Sequence, residues 1–139
     1  EHIGIRISDI DASVAFYENL GFAKILDAGY EKGHPLIMQH ASGVTLNLLG
    51  PANQERGFNV LMDATEKYTG YTHIALRVES LEATRKTLDR LGIEITGSSR
   101  FGKAMSAIFI RDPDRNVIEL DEVDESHLVE TMADHQVGA

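Results

Sequence analysis

From residue 2 the chain alternates: Ile3, Ile5 and Ile7 fall on one side of an extended segment, and His2, Gly4 and Arg6 on the other. The alternation breaks at Ser8-Asp9, whose side-chain oxygens can cap a helix, and the apolar spacing then becomes helical through Ile10, Val14 and Tyr17. Gly21 supplies a left-handed stop. The same grammar returns further along. Residues 2–22, HIGIRISDIDASVAFYENLGF, align without a gap on residues 73–93, HIALRVESLEATRKTLDRLGI, at an offset of 71. Glu79-Ser80 repeats the polar break, Leu81, Leu88 and Leu91 repeat the apolar stripe, and Gly92 repeats the stop. Such self-similarity marks a duplicated unit.

Three strand-like runs follow each helix: 22–31, 35–40 and 44–49 in the first copy, and 93–99, 104–111 and 117–122 in the second. Turn residues separate them, most clearly Asp112-Pro113-Asp114-Arg115-Asn116, matched by Ala41-Ser42-Gly43. The pattern predicts an α+β fold of two βαβββ modules, residues 1–50 and 71–122, forming one domain over 1–122. Two half-sheets would close around a cavity, with the helices outside. Residues 51–70 are expected to link the modules, with Phe58, Val60, Leu61 and Met62 forming a lid or packing on the core, and residues 123–139 to form a tail of helical character.

Composition narrows the function classes. With 42% hydrophobic and 25% charged residues in 139, the chain can bury a core and is not expected to be disordered. No apolar run approaches the roughly 20 residues of a spanning helix, so a membrane is not expected as partner, and the cytoplasm is the expected compartment. A formal charge of −9 without a basic cluster speaks against nucleic acid. The absence of cysteine removes disulfides, thiolate nucleophiles and Cys-type metal sites. Any metal must be held by His, Asp, Glu or Asn.

The polar strand faces supply such residues. His73, Ala75 and Arg77 share a face, as do their counterparts His2, Gly4 and Arg6. With one residue of slippage the last strands of the modules align at an offset of 72, which makes Asn47 the counterpart of Glu119. Two histidines and one carboxylate are the donor set of an open divalent-metal site, which leaves positions for water or substrate. The expected ligands are therefore His2, His73 and Glu119, with Asn47 at a fourth position. Arg6 and Arg77, about 13 Å along from each histidine at strand rise, are candidates to hold an anionic substrate tail or to form salt bridges such as one to Asp121.

The paired modules, the opening HIGIRISDIDASVAFYENLGF, GYTHIALRV and FIRDPDRNVIELDE together resemble the vicinal oxygen chelate superfamily. That superfamily includes glyoxalase I, methylmalonyl-CoA epimerase, extradiol ring-cleavage dioxygenases, and fosfomycin- and bleomycin-resistance proteins. The resemblance covers about residues 2–122 and implies a partly closed, U-shaped mixed sheet around a metal-binding cavity, a homodimer, a small-molecule substrate and one divalent ion: Zn, Ni, Fe, Mn or Co. It places the ligands on His2, His73 and Glu119, with Glu119 also as catalytic base, and the fourth position on Asn47. The leading reading is a lactoylglutathione lyase (glyoxalase I)-type lyase or isomerase. Asn47 departs from it, because glyoxalases carry Glu or Gln there and a neutral amide cannot accept a proton usefully. The alternatives are a ring-cleavage dioxygenase, for which the expected second-module Tyr falls on Phe109, and a resistance protein that sequesters or modifies a small molecule. Phe109 is then a candidate substrate contact.

Overall fold

In the computed structural model, which describes residues 1–53 and 57–127, the alternating segments are strands and the capped segments helices. The chain divides into two compact units, Glu1–Lys67 with Asp112–Arg115, and Tyr68–Arg111 with the residues from Asn116 onward. The α+β architecture of two repeated modules is as expected, and each module builds its own open four-stranded sheet.

In the first unit the order along the chain is β1 (Ile3–Arg6), α1 (Ile10–Asn19), β2 (Phe22–Asp27), β3 (Leu36–His40) and β4 (Thr45–Leu49). The sheet order is β1-β4-β3-β2, with β1 parallel to β4 and the other pairs antiparallel. Asp9 caps α1 by accepting from Ala12 N at 3.0 Å, as the polar break predicts. Tyr17, Phe22, Leu36, Met38, Leu46 and Leu48 are buried with Ile7. Each such side chain contributes roughly 1.5–3 kcal/mol of burial. Burial fades toward the start of β1, where Ile3 is exposed.

The second strand is shorter than the strand-like run over 22–31. It ends at Asp27 rather than residue 31 because the Asp27 carboxylate accepts from Gly29 N at 2.9 Å and Tyr30 N at 2.8 Å. This local bonding competes with the ladder and turns the chain through left-handed Gly29 into one 3₁₀ turn at Tyr30–Lys32. The two amides, Tyr30's first, also hold the Asp27 carboxyl below the usual carboxylate range.

The second unit repeats the plan as β5 (His73–Arg77), α2 (Leu81–Leu91), β6 (Gly97–Phe101), β7 (Met105–Arg111) and β8 (Val117–Val123), in the sheet order β5-β8-β7-β6. Ser80 caps α2 through Ala83 N, and the Glu122 carboxylate of β8 accepts from Leu81 N at 2.7 Å. Leu88, Ile108, Ile110, Ile118 and Leu120 form the core. The run expected as a strand over 93–99 is displaced to Gly97–Phe101. Ile93 N is still held by Leu88 O at the helix end, and bonding to β7 opens only with Thr96 N to Phe109 O at 2.8 Å.

The turn Asp112–Arg115 does more than reverse the chain. Its residues belong to the first unit, where Tyr17 donates its hydroxyl to Asp112 at 2.7 Å and Ser8 N donates to Asp114 at 3.1 Å, with the Ser8 hydroxyl on the same carboxylate. Arg115, at φ 61°, forks onto Asp63 at 2.8 and 3.3 Å. Asp63 also accepts from Asn59 N at 2.7 Å, and Asn59 in turn accepts from Leu61 N and Met62 N, so the expected lid segment is a bonded turn with Phe58 and Val60 exposed. Of the expected tail, Val123 ends β8 and residues 128–139 lie outside the described residues. Among the described residues no helix is long and apolar enough to cross a membrane.

Candidate metal centre

Strand register supports the one-residue slippage read from the repeat. Gly4 pairs with Asn47 between β1 and β4, and Ala75 pairs with Glu119 between β5 and β8. Asn47 and Glu119 thus hold corresponding places in the two sheets. Cross-strand partners share a face, so the row through Glu119 runs Ala75, Glu119, Phe109, Gly97, and the row through Asn47 runs Gly4, Asn47, Ile37.

In the second unit three of the expected residues come together. His73 Nε2 lies 2.9 Å from Glu119 Oε2, and the Phe109 ring meets the His73 ring edge-on at 6.5 Å and 82°. Glu119 is 8% exposed, whereas the His73 side chain is 39% exposed, so the pair has one buried and one open end. Two further residues, not singled out as site residues by the repeat, complete the arrangement. The Thr72 hydroxyl is 2.9 Å from His73 Nδ1. Asp121 lies beside Glu119 on the same strand face. Burial, and then the neighbouring Glu119 carboxyl, push the Asp121 carboxyl up to about 6, against the opposing pull of His73 and Arg77. Period-two spacing from Glu119 is the sequence signal for Asp121, and adjacency to the histidine the signal for Thr72.

In the first unit, His2 Nδ1 contacts the Glu1 carboxylate, and the imidazole is the leading cause that holds Glu1 below its usual range. The two histidines therefore share a pattern: the residue before each engages Nδ1. Asn47 is half-buried between Gly4 and Ile37. The arginines are engaged elsewhere, Arg6 donating to Pro51 O at 2.7 Å and Arg77 pairing with Glu125, rather than Asp121, at 2.9 Å. The Arg77 pair is exposed at both ends and adds little stability. Two grooves of about 330 and 410 Å³ in the first unit run along α1 and the Tyr30 turn and are lined by none of His2, Arg6, Asn47, His73, Arg77, Phe109 or Glu119.

The donor chemistry fits a divalent cation. A metal-binding imidazole uses one nitrogen while a carboxylate or hydroxyl fixes the other, and Glu1 and Thr72 stand in that relation to His2 and His73. Beside Glu119, Asp121 Oδ1 is buried with no hydrogen-bond partner among the described residues. Two adjacent carboxyl groups with an unsatisfied buried oxygen favour positive charge between or against them. Among the described residues no group of three or more His, Asp or Glu side chains stands placed to hold a metal ion.

The family-wide sequence model of the Glyoxalase/Bleomycin resistance protein/Dioxygenase superfamily matches residues 1–120. The chain belongs to this superfamily. Within the glyoxalase superfamily it is 27% identical over 135 residues to a probable lactoylglutathione lyase of Vibrio cholerae serotype O1, covering 91% of each chain. It is 28% identical over 126 residues to the lactoylglutathione lyase of Haemophilus influenzae, covering 85% of this chain and 87% of that one. Its fold is similar to the crystal structure of a glyoxalase family protein from Enterococcus faecalis, with a TM-score of 0.70, 26% identity, and coverage of 87% of this chain and 94% of that one.

Proposed function

We propose that this protein is a divalent-metal-dependent lyase or isomerase of the lactoylglutathione lyase type, acting on a small substrate that presents two neighbouring oxygens to the metal. The observation that carries this reading is the His73–Glu119 pair at 2.9 Å, with Asn47 at the corresponding register place in the module led by His2. His2, His73 and Glu119 are the proposed ligands and Asn47 the fourth position. When bound, the metal supplies Lewis-acid polarisation of the substrate oxygens. Glu119 is the one carboxylate among the four positions, so it both removes the proton next to the carbonyl and returns it to the adjacent carbon. Asn47 orients by hydrogen bonding and moves no proton. Phe109 offers the substrate an apolar wall beside His73, and Arg6 and Arg77 meet an anionic tail with the guanidinium nitrogens not used on Pro51 and Glu125. A homodimer and a cytoplasmic setting belong to the same proposal, the first checked by sedimentation equilibrium and the second by cell fractionation.

Metal titration of the purified protein with Zn²⁺, Ni²⁺, Fe²⁺, Mn²⁺ and Co²⁺ tests the site. His73→Ala and Glu119→Ala are expected to abolish tight uptake and His2→Ala to weaken it; unchanged affinity in all three overturns the ligand set. Spectroscopic loss of the methylglyoxal–glutathione hemithioacetal then tests the reaction. Metal uptake without turnover of that substrate, together with cleavage of catechol and oxygen consumption, replaces the lyase reading with a dioxygenase.

A further inference from the structure

Pairing between β2 and β3 runs Lys24 to Met38 and then Leu26 to Ile37, so Ile25 is an extra residue in the ladder. Met38 and Ile37 are successive residues of one strand and point to opposite faces, while cross-strand partners share a face. Lys24 and Leu26 therefore lie on opposite faces, although in a regular strand residues two apart share one. The groove along α1 agrees, being lined by Lys24 and Asp27 and not by Leu26. The bulge thus carries Leu26 onto the face of Asn47 and into its row, which reads Gly4, Asn47, Ile37, Leu26. At strand spacing Leu26 lies about 10 Å across the sheet from Asn47. An exposed leucine is ordinary by itself, but this one, 54% exposed, is set on the Asn47 face by a device that re-aims side chains. The duplication supplies an internal control. The corresponding row of the second unit runs Ala75, Glu119, Phe109, Gly97, and its β6–β7 pairing has no shift. There the Phe109 ring reaches to 3.6 Å from where a Cβ on Gly97 would stand. In the first unit the smaller Ile37 leaves that outer place to Leu26.

We propose that Leu26 is a specificity-determining residue whose exposed side chain receives an apolar portion of the substrate lying beyond the two chelating oxygens. The inference rests on the proposed substrate site at His2, His73, Glu119 and Asn47. It narrows the substrate class to molecules that join a neighbouring pair of oxygens to an apolar group larger than a methyl. Arg6 stands on β1 and Leu26 on β2, the two edges of the first sheet, so an anionic tail and the apolar group leave the chelating oxygens in different directions.

The test uses the full chain loaded with Zn²⁺ and two probes that chelate through neighbouring oxygens, acetohydroxamate and biphenylcarbohydroxamate, titrated by calorimetry. The wild type is expected to bind the aryl probe more tightly. Leu26→Ser is expected to fold normally, to take up Zn²⁺ and acetohydroxamate as the wild type does, and to lose about 10-fold of the aryl preference. Leu26→Ala is expected to lose part of that preference and Leu26→Met to keep it. A wild type without aryl preference overturns the inference, as does an unchanged preference in Leu26→Ser. A Leu26→Ser variant that alters only the sedimentation of the protein overturns it too, and makes the leucine an assembly contact. If the wild type takes up no Zn²⁺, the metal reading fails, and the Leu26 methyl resonances, assigned with Leu26→Ser, decide separately. Their shift with biphenylcarbohydroxamate but not with acetohydroxamate supports the apolar contact, and unmoved resonances overturn it.

Discussion

The Tyr17 hydroxyl, on a ring with no exposed surface, donates to Asp112, which is 4% exposed. Removing a donor from a buried carboxylate leaves its desolvation poorly compensated, so Tyr17→Phe is expected to lower stability by about 1–3 kcal/mol, read from the urea midpoint at pH 7. Burial first, and then the Asp112 charge, push the Tyr17 phenol well above its usual range. Its proton therefore stays on in the folded chain and leaves the unfolded chain near pH 10. Stability from this group is complete below pH 10 and is lost as pH rises through and beyond it. Urea unfolding between pH 8 and 11 should show that loss in the wild type, with Tyr17→Phe lacking this component. None of this was legible in the string, where Asp112 reads as a turn former, because its partner stands 95 positions away. The Asn47–Glu119 correspondence was legible, since strand alternation and one slipped residue suffice to derive it. The carboxyl interplay of Glu119 and Asp121 depends on burial, which no local pattern reports.

At the level of elements, both helix starts were readable because capping is local. Asp9 and Ser80 each sit in extended backbone and accept from the amide three residues on, at 3.0 and 3.2 Å. Asp9→Ala and Ser80→Ala should each cost about 1 kcal/mol, measured by chemical denaturation followed by circular dichroism. No loss from either variant would show that packing alone sets the helix starts. Strand ends were less legible. The run from Phe22 stays strand-like past Leu26, and its stop is imposed by the Asp27 carboxylate bonding to the backbone of Gly29 and Tyr30. The start of β6 depends on where β7 lies, a partner distant in sequence. The turn Asp112–Arg115 had a correct type but an unread role, because its side chains bond to Ser8, Tyr17 and Asp63.

The duplication is the property of the whole molecule that sequence conveys best, since it predicts two modules of equal plan and assigns each candidate ligand a counterpart. It also sharpens the test of the metal proposal, because His2 belongs to one unit and His73 with Glu119 to the other. An ion that binds the folded state alone stabilises it by about 2.7 kcal/mol at a hundred times its Kd. If ligands from both units hold one ion, both units must gain that stability together, and metal should raise the melting of the whole chain as a single transition. In His2→Ala the link is cut at one side. Metal should then act only on the unit that retains His73 and Glu119, and calorimetry should resolve a shifted and an unshifted component. In Glu119→Ala neither component should move. A single transition that shifts as much in His2→Ala as in the wild type would mean that His2 takes no part. The second unit would then hold the ion with His73, Glu119 and solvent, an arrangement in which the repeat of the histidine strand records ancestry rather than chemistry.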